Sequence, residues 1–397
     1  MVTKNFRIFF IHYNYLNSNN GSNTHILELF HNLSRYADVT LFVPKSKARL
    51  EMRNIRYISH VNKKFFIGIS YELSLFLHLF YECLRNKPNV IYLRQNSFSF
   101  FPIILCKTFK IPCIIEINGF IHDEILMNRS LKSVARNLDH FLCISSEKFN
   151  YKYCNRIVSV TQNLKEKLID AYNISEGKIE VINNGANIDL FKPLVKQEAL
   201  DKLNLDSSNF HICFVGNLAP WQGVEYLIRA ASLILTEYPQ TRFLVVGDGV
   251  MKKEWLQLAE NLGVSDKFIF TGSVPYNMVP IYINASDICV APFIRERNSK
   301  IGLSALKTYE YFACGKPLVA SSIPGIKDLI ELSGGGISVT PENPEELANA
   351  VIKLLPDENT RSLMGDKGRK YVIENHSWDG VARKVLGVCN EARIHNI

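Results

Sequence analysis

The sequence predicts an α/β protein with two doubly wound domains, and three observations lead to this prediction. The chain has 397 residues, more than one ordinary hydrophobic core accommodates. Short runs of β-branched and aromatic residues alternate with longer amphipathic segments, which is typical of parallel sheets covered by helices. The alternation occurs twice, and a polar stretch near 193–208 separates the two copies.

Each copy contains short apolar runs that we interpret as strands, with helical patterns between them. The first-half strands are predicted at Arg7–His12, Val39–Val43, Val90–Arg94, Cys113–Glu116, Ile157–Val160 and Ile179–Ile182. The second-half strands are predicted at Phe210–Val215, Arg242–Val246, Phe268–Thr271, Ile288–Ala291, Leu318–Ala320 and Gly336–Val339. Predicted helices include His25–Arg35, Leu164–Asn173, Glu225–Leu235 and Trp378–Ala392. Ligands of such sheets bind beyond the carboxyl ends of the strands, so the loops there are candidate sites.

Composition indicates a globular chain, with 47% hydrophobic and 21% charged residues. Its nine cysteines form no Cys-x-x-Cys pair and lie mostly in apolar runs, which predicts buried free thiols in a reducing compartment. The N-terminus shows no signal-peptide pattern. The apolar stretch Phe65–Phe80 is too short to span a bilayer and predicts a buried or membrane-facing helix. We expect a cytoplasmic protein, with peripheral membrane association as an alternative.

The net charge of +8 is unevenly distributed. Residues 1–200 contain 26 Lys and Arg against 16 Asp and Glu, whereas the remainder is slightly acidic. This difference has two alternative explanations. One is random variation of surface charge, and the other is an anionic partner such as a membrane surface, a lipid phosphate or an acidic sugar chain. The basic residues are dispersed and accompany no nucleic-acid-binding motif, so we predict no nucleic-acid partner.

The stretch 291–320 suggests the most specific chemistry. A predicted loop carries Arg295, Arg297 and Lys300, and a predicted helix with Lys307 and Glu310 follows and ends at a glycine. Cations at a helix start, with a carboxylate one turn inside, suit a nucleoside diphosphate and its ribose. A surface ion pair between Lys307 and Glu310 is the simpler alternative.

Other glycine-containing loops follow predicted strands. These loops contain Gly21, Asn118, Gly216–Gly223, Gly247–Gly249 and Gly272–Val274. Glycine lets backbone approach a ligand closely, and a following helix favours an anion. Each loop taken alone is equally well explained as an ordinary connection between a strand and a helix.

The order and spacing of these pieces resemble the retaining nucleotide-sugar glycosyltransferases of family 4, which have the GT-B fold. The resemblance is clearest in VINNGANIDLFKP, FVGNLAPWQGVEYLIRA, FLVVGDG, FIFTGSVP and YEYFACGKPLVAS. It implies two Rossmann-like domains facing each other across a cleft. Residues 1–195 would bind the acceptor, with a C-terminal helix at about 378–397 packing back on them, and residues 205–377 would bind the nucleotide-sugar.

The resemblance also implies roles for individual residues. Glu310 would bind the ribose, the backbone at Val274 the base, and Gly21 would lie near the donor diphosphate. Asn118 stands where many members have a His that approaches the donor sugar. Further groups expected near the donor are Gly216, Gly247, Gly302, Leu303 and Arg295.

Three positions depart from the family pattern. Gly302 replaces a glutamate that usually contacts the donor sugar, and neutral Asn217 and Gln222 replace the usual phosphate-binding Arg and Lys. A diphosphate leaving group still needs cations. We therefore predict that Lys307 and Lys300, assisted by Arg297, have taken over this role.

The predicted function is a metal-independent retaining transferase that requires no cofactor. It would move a sugar from a UDP- or GDP-linked donor to a glycan or lipid-linked acceptor in cell-surface polysaccharide or glycoconjugate synthesis. A nucleotide-sugar epimerase and a non-catalytic scaffold that binds nucleotide or glycan are the alternatives.

Overall fold

The computed structural model describes residues 6–16, 21–46, 52, 54–61, 67–122 and 133–394. The chain forms two compact units, the first within Met1–Ser18, His25–Asn183 and Val381–Ile397, and the second within Asn19–Thr24 and Asn184–Gly380. The division falls at Asn183, upstream of the polar stretch where the sequence suggested a linker. Hydrogen bonds within the second unit explain this position, because Asn184 N–H donates to Ser304 Oγ (2.8 Å) and Ala186 N–H to His376 O (2.8 Å).

The first unit contains a seven-stranded parallel sheet in the order β3-β2-β1-β4-β5-β6-β7. Its strands are β1 (Arg7–Ile11), β2 (Asp38–Pro44), β3 (Ile55–Ile58), β4 (Val90–Arg94), β5 (Cys113–Ile117), β6 (Arg156–Ser159) and β7 (Ile179–Val181). Its helices are α1 (Gly21–Leu33), α2 (Ile67–Arg85), α3 (Phe101–Phe109), α4 (Ser133–Tyr153) and α5 (Gln162–Tyr172). The first turn of α1 is grouped with the second unit, and this first unit also takes most of the last helix.

The second unit contains a six-stranded parallel sheet in the order β10-β9-β8-β11-β12-β13. Its strands are β8 (Phe210–Val215), β9 (Thr241–Val246), β10 (Phe268–Gly272), β11 (Ile288–Ala291), β12 (Leu318–Ser321) and β13 (Gly336–Val339). Its first helices are α6 (Lys196–Leu203), α7 (Val224–Glu237), α8 (Lys252–Asn261), α9 (Val279–Ala285), α10 (Arg295–Ile301) and α11 (Leu306–Ala313). The remaining helices are α12 (Ile326–Ser333), α13 (Pro344–Leu354), α14 (Glu358–Asn375) and α15 (Trp378–Ile394).

Sequence patterning accounts for most of these elements. Strands buried on both faces, such as β5 and β8, are apolar runs interrupted by one polar residue each, Glu116 and His211. Polar side chains begin several helices, as where Thr161 Oγ1 accepts from the Leu164 N–H (3.1 Å). The predicted strands are confirmed to within two residues at each end, and all nine cysteines are free and buried, as predicted. The edge strand β3 was missed, since Ile55–Ile58 follows a polar stretch and alternates only briefly.

One local prediction was wrong. The basic segment at 295–301 was expected to be a loop and forms α10 instead. Its Asn298 and Ile301 are buried, so the segment packs one face inward and exposes the other. No helix among the described residues is long and apolar enough to cross a membrane.

Candidate functional site

The candidate site of the second unit lies at the carboxyl ends of β8 and β11. These strands are neighbours in the middle of the sheet, and the chain runs outward from them in opposite directions. Such a switch of direction leaves a crevice between the two following loops, where doubly wound sheets bind ligands. The two loops here are 216–223 after β8 and 292–294 after β11.

These two loops touch each other closely. A Cβ at Gly223 would overlap the carbonyl oxygen of Pro292, and Gly223 has φ +68°, so glycine is required there on both counts. Asn298 Nδ2 in α10 donates to Trp221 O (3.0 Å) and to Ile294 O (2.8 Å). The loop after β8 is therefore held against the start of α10.

Lys307 occupies the floor of this crevice and is only 8% exposed. Its Nζ donates to Gln222 Oε1 (2.6 Å) and lies 3.8 Å from the ring centroid of Phe214 and 5.3 Å from that of Phe293. A Cβ at Gly216 would lie 2.6 Å from the same nitrogen, so glycine leaves the space that the ammonium fills. The ammonium therefore binds Gln222 directly and lies beside Gly216, two of the loop residues that were predicted to bind the donor.

Burial lowers the pKa of Lys307 to about 7, against an opposing effect of Glu310. The ring faces of Phe214 and Phe293 attract a cation, but they stabilise the ammonium less than water would. Gln222 takes one of the three donors of the ammonium, and no other described residue accepts a hydrogen bond from it. An anion placed against Lys307 would find donors to bind and would raise this pKa.

Helix α11 carries Lys307 and confirms the helix predicted there. Its position is set by Tyr311, whose hydroxyl accepts from the Val215 N–H at the end of β8 (2.7 Å). Every residue from Lys307 to Ala313 is buried. The helix is therefore a fixed part of the core, and the surface ion pair considered as an alternative for Lys307 and Glu310 is not what the structure shows.

Glu310 lies one turn further along α11 and is 6% exposed. Its Oε1 accepts from the hydroxyl of Tyr276, at 3.1 Å. The Tyr276 ring packs 5.3 Å from Phe191, and Val274 packs against the same core. Val274 and Glu310, which were predicted to meet the base and the ribose, therefore belong to one packed region beside the loop that follows β10.

The basic side chains of α10 are separate from Lys307. The Arg297 guanidinium lies 4.9 Å from the ring centroid of Trp221, and Lys300 and Arg295 are exposed. In the part of the chain that the structure describes, no hydrogen bond or ion pair joins these three side chains to Lys307 or Gln222. The predicted cations are therefore one buried ammonium, one half-buried guanidinium that packs on Trp221, and two exposed side chains.

Of the remaining predicted residues of this unit, Asn217, Gly247, Gly302 and Leu303 lie in loops, and Gly21 is the first residue of α1. Asn217 is exposed, with Leu218 N–H donating to Asp248 O (2.8 Å), and Gly247 N–H donates to Gly272 O (3.1 Å). Gly302 ends α10 with φ +67° and Leu303 N–H donates to Pro324 O (2.9 Å). A Cβ on Gly21 would lie 3.7 Å from Leu306 Cδ1, just before Lys307.

Asn118 belongs to the first unit and follows β5. Its Nδ2 donates to Glu116 Oε1 (2.7 Å), and Glu116 also accepts from Tyr92 Oη (2.7 Å) and pairs with His25 Nε2 (2.8 Å). Burial opposes ionisation of Glu116, but His25 and these hydrogen bonds hold its pKa well below its usual range. An ionised carboxylate only accepts, so the Asn118 amide must point its NH₂ at Glu116.

Several residues that shape the site were not predicted from the sequence. They are Tyr276, Tyr311, Phe214, Phe293 and Trp221. Only Trp221 gave a signal, since it lies inside a predicted ligand loop. Among the residues that the structure describes, no group of three or more His, Cys, Asp or Glu side chains could hold a metal ion.

Two family profiles match the chain. The one described as Glycosyltransferase Family 4 matches residues 19–190, and the one described as Glycosyl transferases group 1 matches residues 195–371. An uncharacterised glycosyltransferase of Methanocaldococcus jannaschii is 32% identical over 244 residues, which are 60% of this chain and 60% of that protein. The match therefore spans less than two thirds of that relative's length.

Solved structures resemble the chain over nearly its whole length. Sucrose-phosphate synthase from Thermosynechococcus elongatus has a TM-score of 0.78 at 18% identity, covering 97% of this chain and 98% of that one. Anabaena HepE in complex with UDP-glucose has a TM-score of 0.75 at 17% identity, covering 97% and 99%. At these identities the likeness concerns the fold, and it confirms the predicted α/β class of GT-B type.

Proposed function

Because the chain belongs to glycosyltransferase family 4, we propose that it transfers a sugar from a nucleoside-diphosphate sugar to a glycan or lipid-linked acceptor, with retention at the anomeric carbon. The second unit would bind the nucleotide-sugar and the first unit the acceptor. The UDP-glucose complex of the Anabaena protein supports UDP as the first nucleotide to test, and GDP as the second.

The buried ammonium of Lys307 is the observation that carries this proposal. It lies at the switch point of the sheet beside Gly216, where backbone can approach a diphosphate. Its Nζ is 2.6 Å from Gln222 Oε1, so it delivers positive charge to a loop that has no cationic side chain of its own. Lys307 of α11 thus supplies the positive charge that the neutral loop lacks, and we assign to it the binding of the leaving diphosphate.

The other residues complete the donor site in this proposal. Glu310 accepts hydrogen bonds from the ribose hydroxyls, and the backbone at Val274 meets the base. Arg297, Lys300 and Arg295 of α10 assist as nearby cations. Further groups placed near the donor are Gly21, Gly216, Asn217, Gly247, Gly302 and Leu303. Asn118 offers its amide oxygen to a substrate hydroxyl, because its NH₂ is engaged by Glu116.

The proposed reaction breaks the bond between the anomeric carbon and the diphosphate oxygen and forms a bond from the same face to the acceptor oxygen. The acceptor proton passes to the departing diphosphate, which the ammonium of Lys307 stabilises as charge develops. No enzymic nucleophile and no metal ion take part in this scheme. The basic first 200 residues suit an anionic acceptor or membrane, so cell-surface polysaccharide or glycoconjugate synthesis is the proposed pathway class.

An exchange of two side chains tests the proposal. Lys307→Gln should lower kcat/KM for sugar transfer by about 10²–10³-fold, the usual cost of losing one stabilising charge or donor at a developing anion. Adding Gln222→Lys should restore much of the rate, since a lysine at 222 can place its ammonium near the same point. The donor is first identified by the rise in melting temperature with UDP, GDP, ADP and their sugars, and transfer to a lipid extract is then measured.

Lys253→Gln, at an exposed position of α8, is the matched control for loss of one positive charge. Its rate should equal that of the unmodified protein. A Lys307→Gln variant that folds and transfers sugar at the normal rate would refute the role of Lys307. Binding of a nucleotide-sugar without any turnover would favour a non-catalytic scaffold, and conversion of the donor sugar without acceptor would favour an epimerase.

A further inference from the structure

Helix α2 of the first unit is apolar on both its faces. Tyr71, Leu75, Leu79 and Cys83 are buried on the side that packs inward. On the opposite side a continuous stripe of apolar side chains is between 39% and 66% exposed: Ile69, Leu73, Leu77, Phe80 and Leu84. Their spacing of three or four residues places them along one line of the helix. Water-facing helix surfaces normally carry polar residues, so this stripe needs an explanation.

The stripe on α2 is long, and the adjacent helix α3 extends it. From Ile69 to Leu84 it runs along about 22 Å of helix, at 1.5 Å per residue. Helix α3 packs beside it, with Phe80 and Phe109 ring centroids 5.3 Å apart, and exposes Ile104 by 42%. Single exposed apolar residues are ordinary, whereas a contiguous patch of this kind marks an interaction surface.

Cations adjoin the carboxyl end of this patch, and the described residues of α2 and α3 include few carboxylates. Arg85, Lys87, Lys107 and Lys110 are all exposed at the carboxyl ends of α2 and α3. The only carboxylates of the two helices are Glu72, which is fully buried, and Glu82, which faces Arg56 (3.9 Å). The exposed surface of α2 and α3 is therefore apolar and positively charged.

We propose that this surface, here called the α2 face and formed by Ile69, Leu73, Leu77, Phe80, Leu84 and Ile104 with the four cations, docks on a bilayer that contains anionic lipids. Apolar side chains of an interfacial helix enter the boundary between headgroups and acyl chains, and adjacent Lys and Arg contact anionic headgroups. The buried side of α2 packs on its own unit, so the helix lies in the plane of the interface.

An anionic bilayer fits the α2 face better than a second copy of the chain does. A symmetric dimer would bring two surfaces with an excess of positive charge against each other. Anionic headgroups instead present the opposite sign of charge to this surface. The inference goes beyond the proposed sugar transfer and does not depend on it, because docking needs neither nucleotide nor acceptor.

Vesicle co-sedimentation tests the proposal. The full chain should bind vesicles of phosphatidylcholine and phosphatidylglycerol, and bind pure phosphatidylcholine vesicles more weakly. The double variant Leu77→Gln/Leu84→Gln removes two side chains that are 66% and 65% exposed, so its fold should be intact. Its partition coefficient should fall by at least about tenfold, since each leucine loses favourable transfer from water.

Matched variants in the second unit serve as controls. Leu332→Gln/Leu363→Gln alters leucines that are 69% and 55% exposed and should bind vesicles like the unmodified chain. Lys107→Gln/Lys110→Gln should weaken binding to the anionic vesicles, and Lys253→Gln/Lys353→Gln should not. Absence of vesicle binding, or equal binding by both leucine variants, would overturn the proposal. So would a lipid-free dimer that only Leu77→Gln/Leu84→Gln dissociates, which would assign the α2 face to a second copy.

Discussion

The two units have related doubly wound sheets, yet among the described residues a buried ammonium occurs only in the second. In the first unit buried carboxylates lie near the strand ends, with Glu116 and Glu147 each 1% exposed. Both accept several hydrogen bonds, and Glu147 takes one from Tyr172 Oη (2.5 Å) and one from Gln95 Nε2 (2.7 Å). In the second unit the candidate site contains a buried carboxylate, Glu310, and also the ammonium of Lys307, which makes one hydrogen bond.

This difference supports the proposal that the second unit binds the diphosphate. Carboxylates that already accept several hydrogen bonds repel a phosphate, and in the proposed function the neutral Asn118 amide beside them meets a substrate hydroxyl. A buried ammonium with unused donors gains most from an anion, because the anion restores the charge that burial disfavours. A shared topology therefore accommodates different chemistry through a few side chains at the strand ends.

The largest expected effect comes from breaking the carboxylate cluster of the first unit. Glu116→Gln should lower the free energy of unfolding by about 3–5 kcal/mol, because it removes the buried carboxylate with which His25, Tyr92 and Asn118 interact. This loss of stability should be complete above about pH 5 and should shrink in acid. The lowered pKa of Glu116 stabilises the fold fully only above the pKa that this carboxyl group has in the unfolded chain. Urea denaturation monitors the effect, and Glu180→Gln, at a carboxylate 52% exposed, is its control.

Glu310→Gln should weaken nucleoside-diphosphate binding by about 1.5–3 kcal/mol, the range for hydrogen bonds to a charged group. Titration calorimetry with the nucleotide chosen by thermal shift measures this change. Glu331→Gln, which alters an exposed carboxylate paired with Lys327, should bind normally. Unchanged affinity in Glu310→Gln would remove the proposed ribose contact.

The pH dependence of nucleotide binding sharpens the contrast further. Lys307 has a pKa of about 7 in the free protein, and a bound diphosphate should raise it. Binding at pH 8 should then take up close to one proton, and affinity should fall by up to about tenfold per pH unit above 7. Calorimetry in buffers of different ionisation enthalpy measures the uptake. If the uptake persists in Lys307→Gln, another group titrates.

The smallest effect is expected for the exposed cations of α10. Lys300→Gln and Arg295→Gln should each weaken diphosphate binding by less than about 1 kcal/mol, because both side chains are exposed and solvent screens their charge. Measurement at low and high salt should show that this small contribution disappears as ionic strength rises. A loss as large as that of Lys307→Gln would mean that α10 binds the phosphates directly.

Local patterns predicted much of the fold and part of the site. The strands of the second unit, the glycine loops and the helix with Lys307 and Glu310 all follow from short-range periodicity and turn chemistry. The same reasoning failed at 295–301, where clustered charges suggested a loop. That segment forms a helix because Asn298 and Ile301 pack inward, which depends on Trp221 from another loop.

The sequence by itself determined the α/β class, the two runs of strands and helices, and the residue types available at the strand ends. Only the tertiary structure decided that Lys307 meets Gln222, which lies 85 residues earlier, and that the apolar stripe of α2 faces solvent. The physical reason is that periodicity reports which face of an element is apolar. Which side chains meet across the core, and which apolar face stays uncovered, depends on how the elements pack.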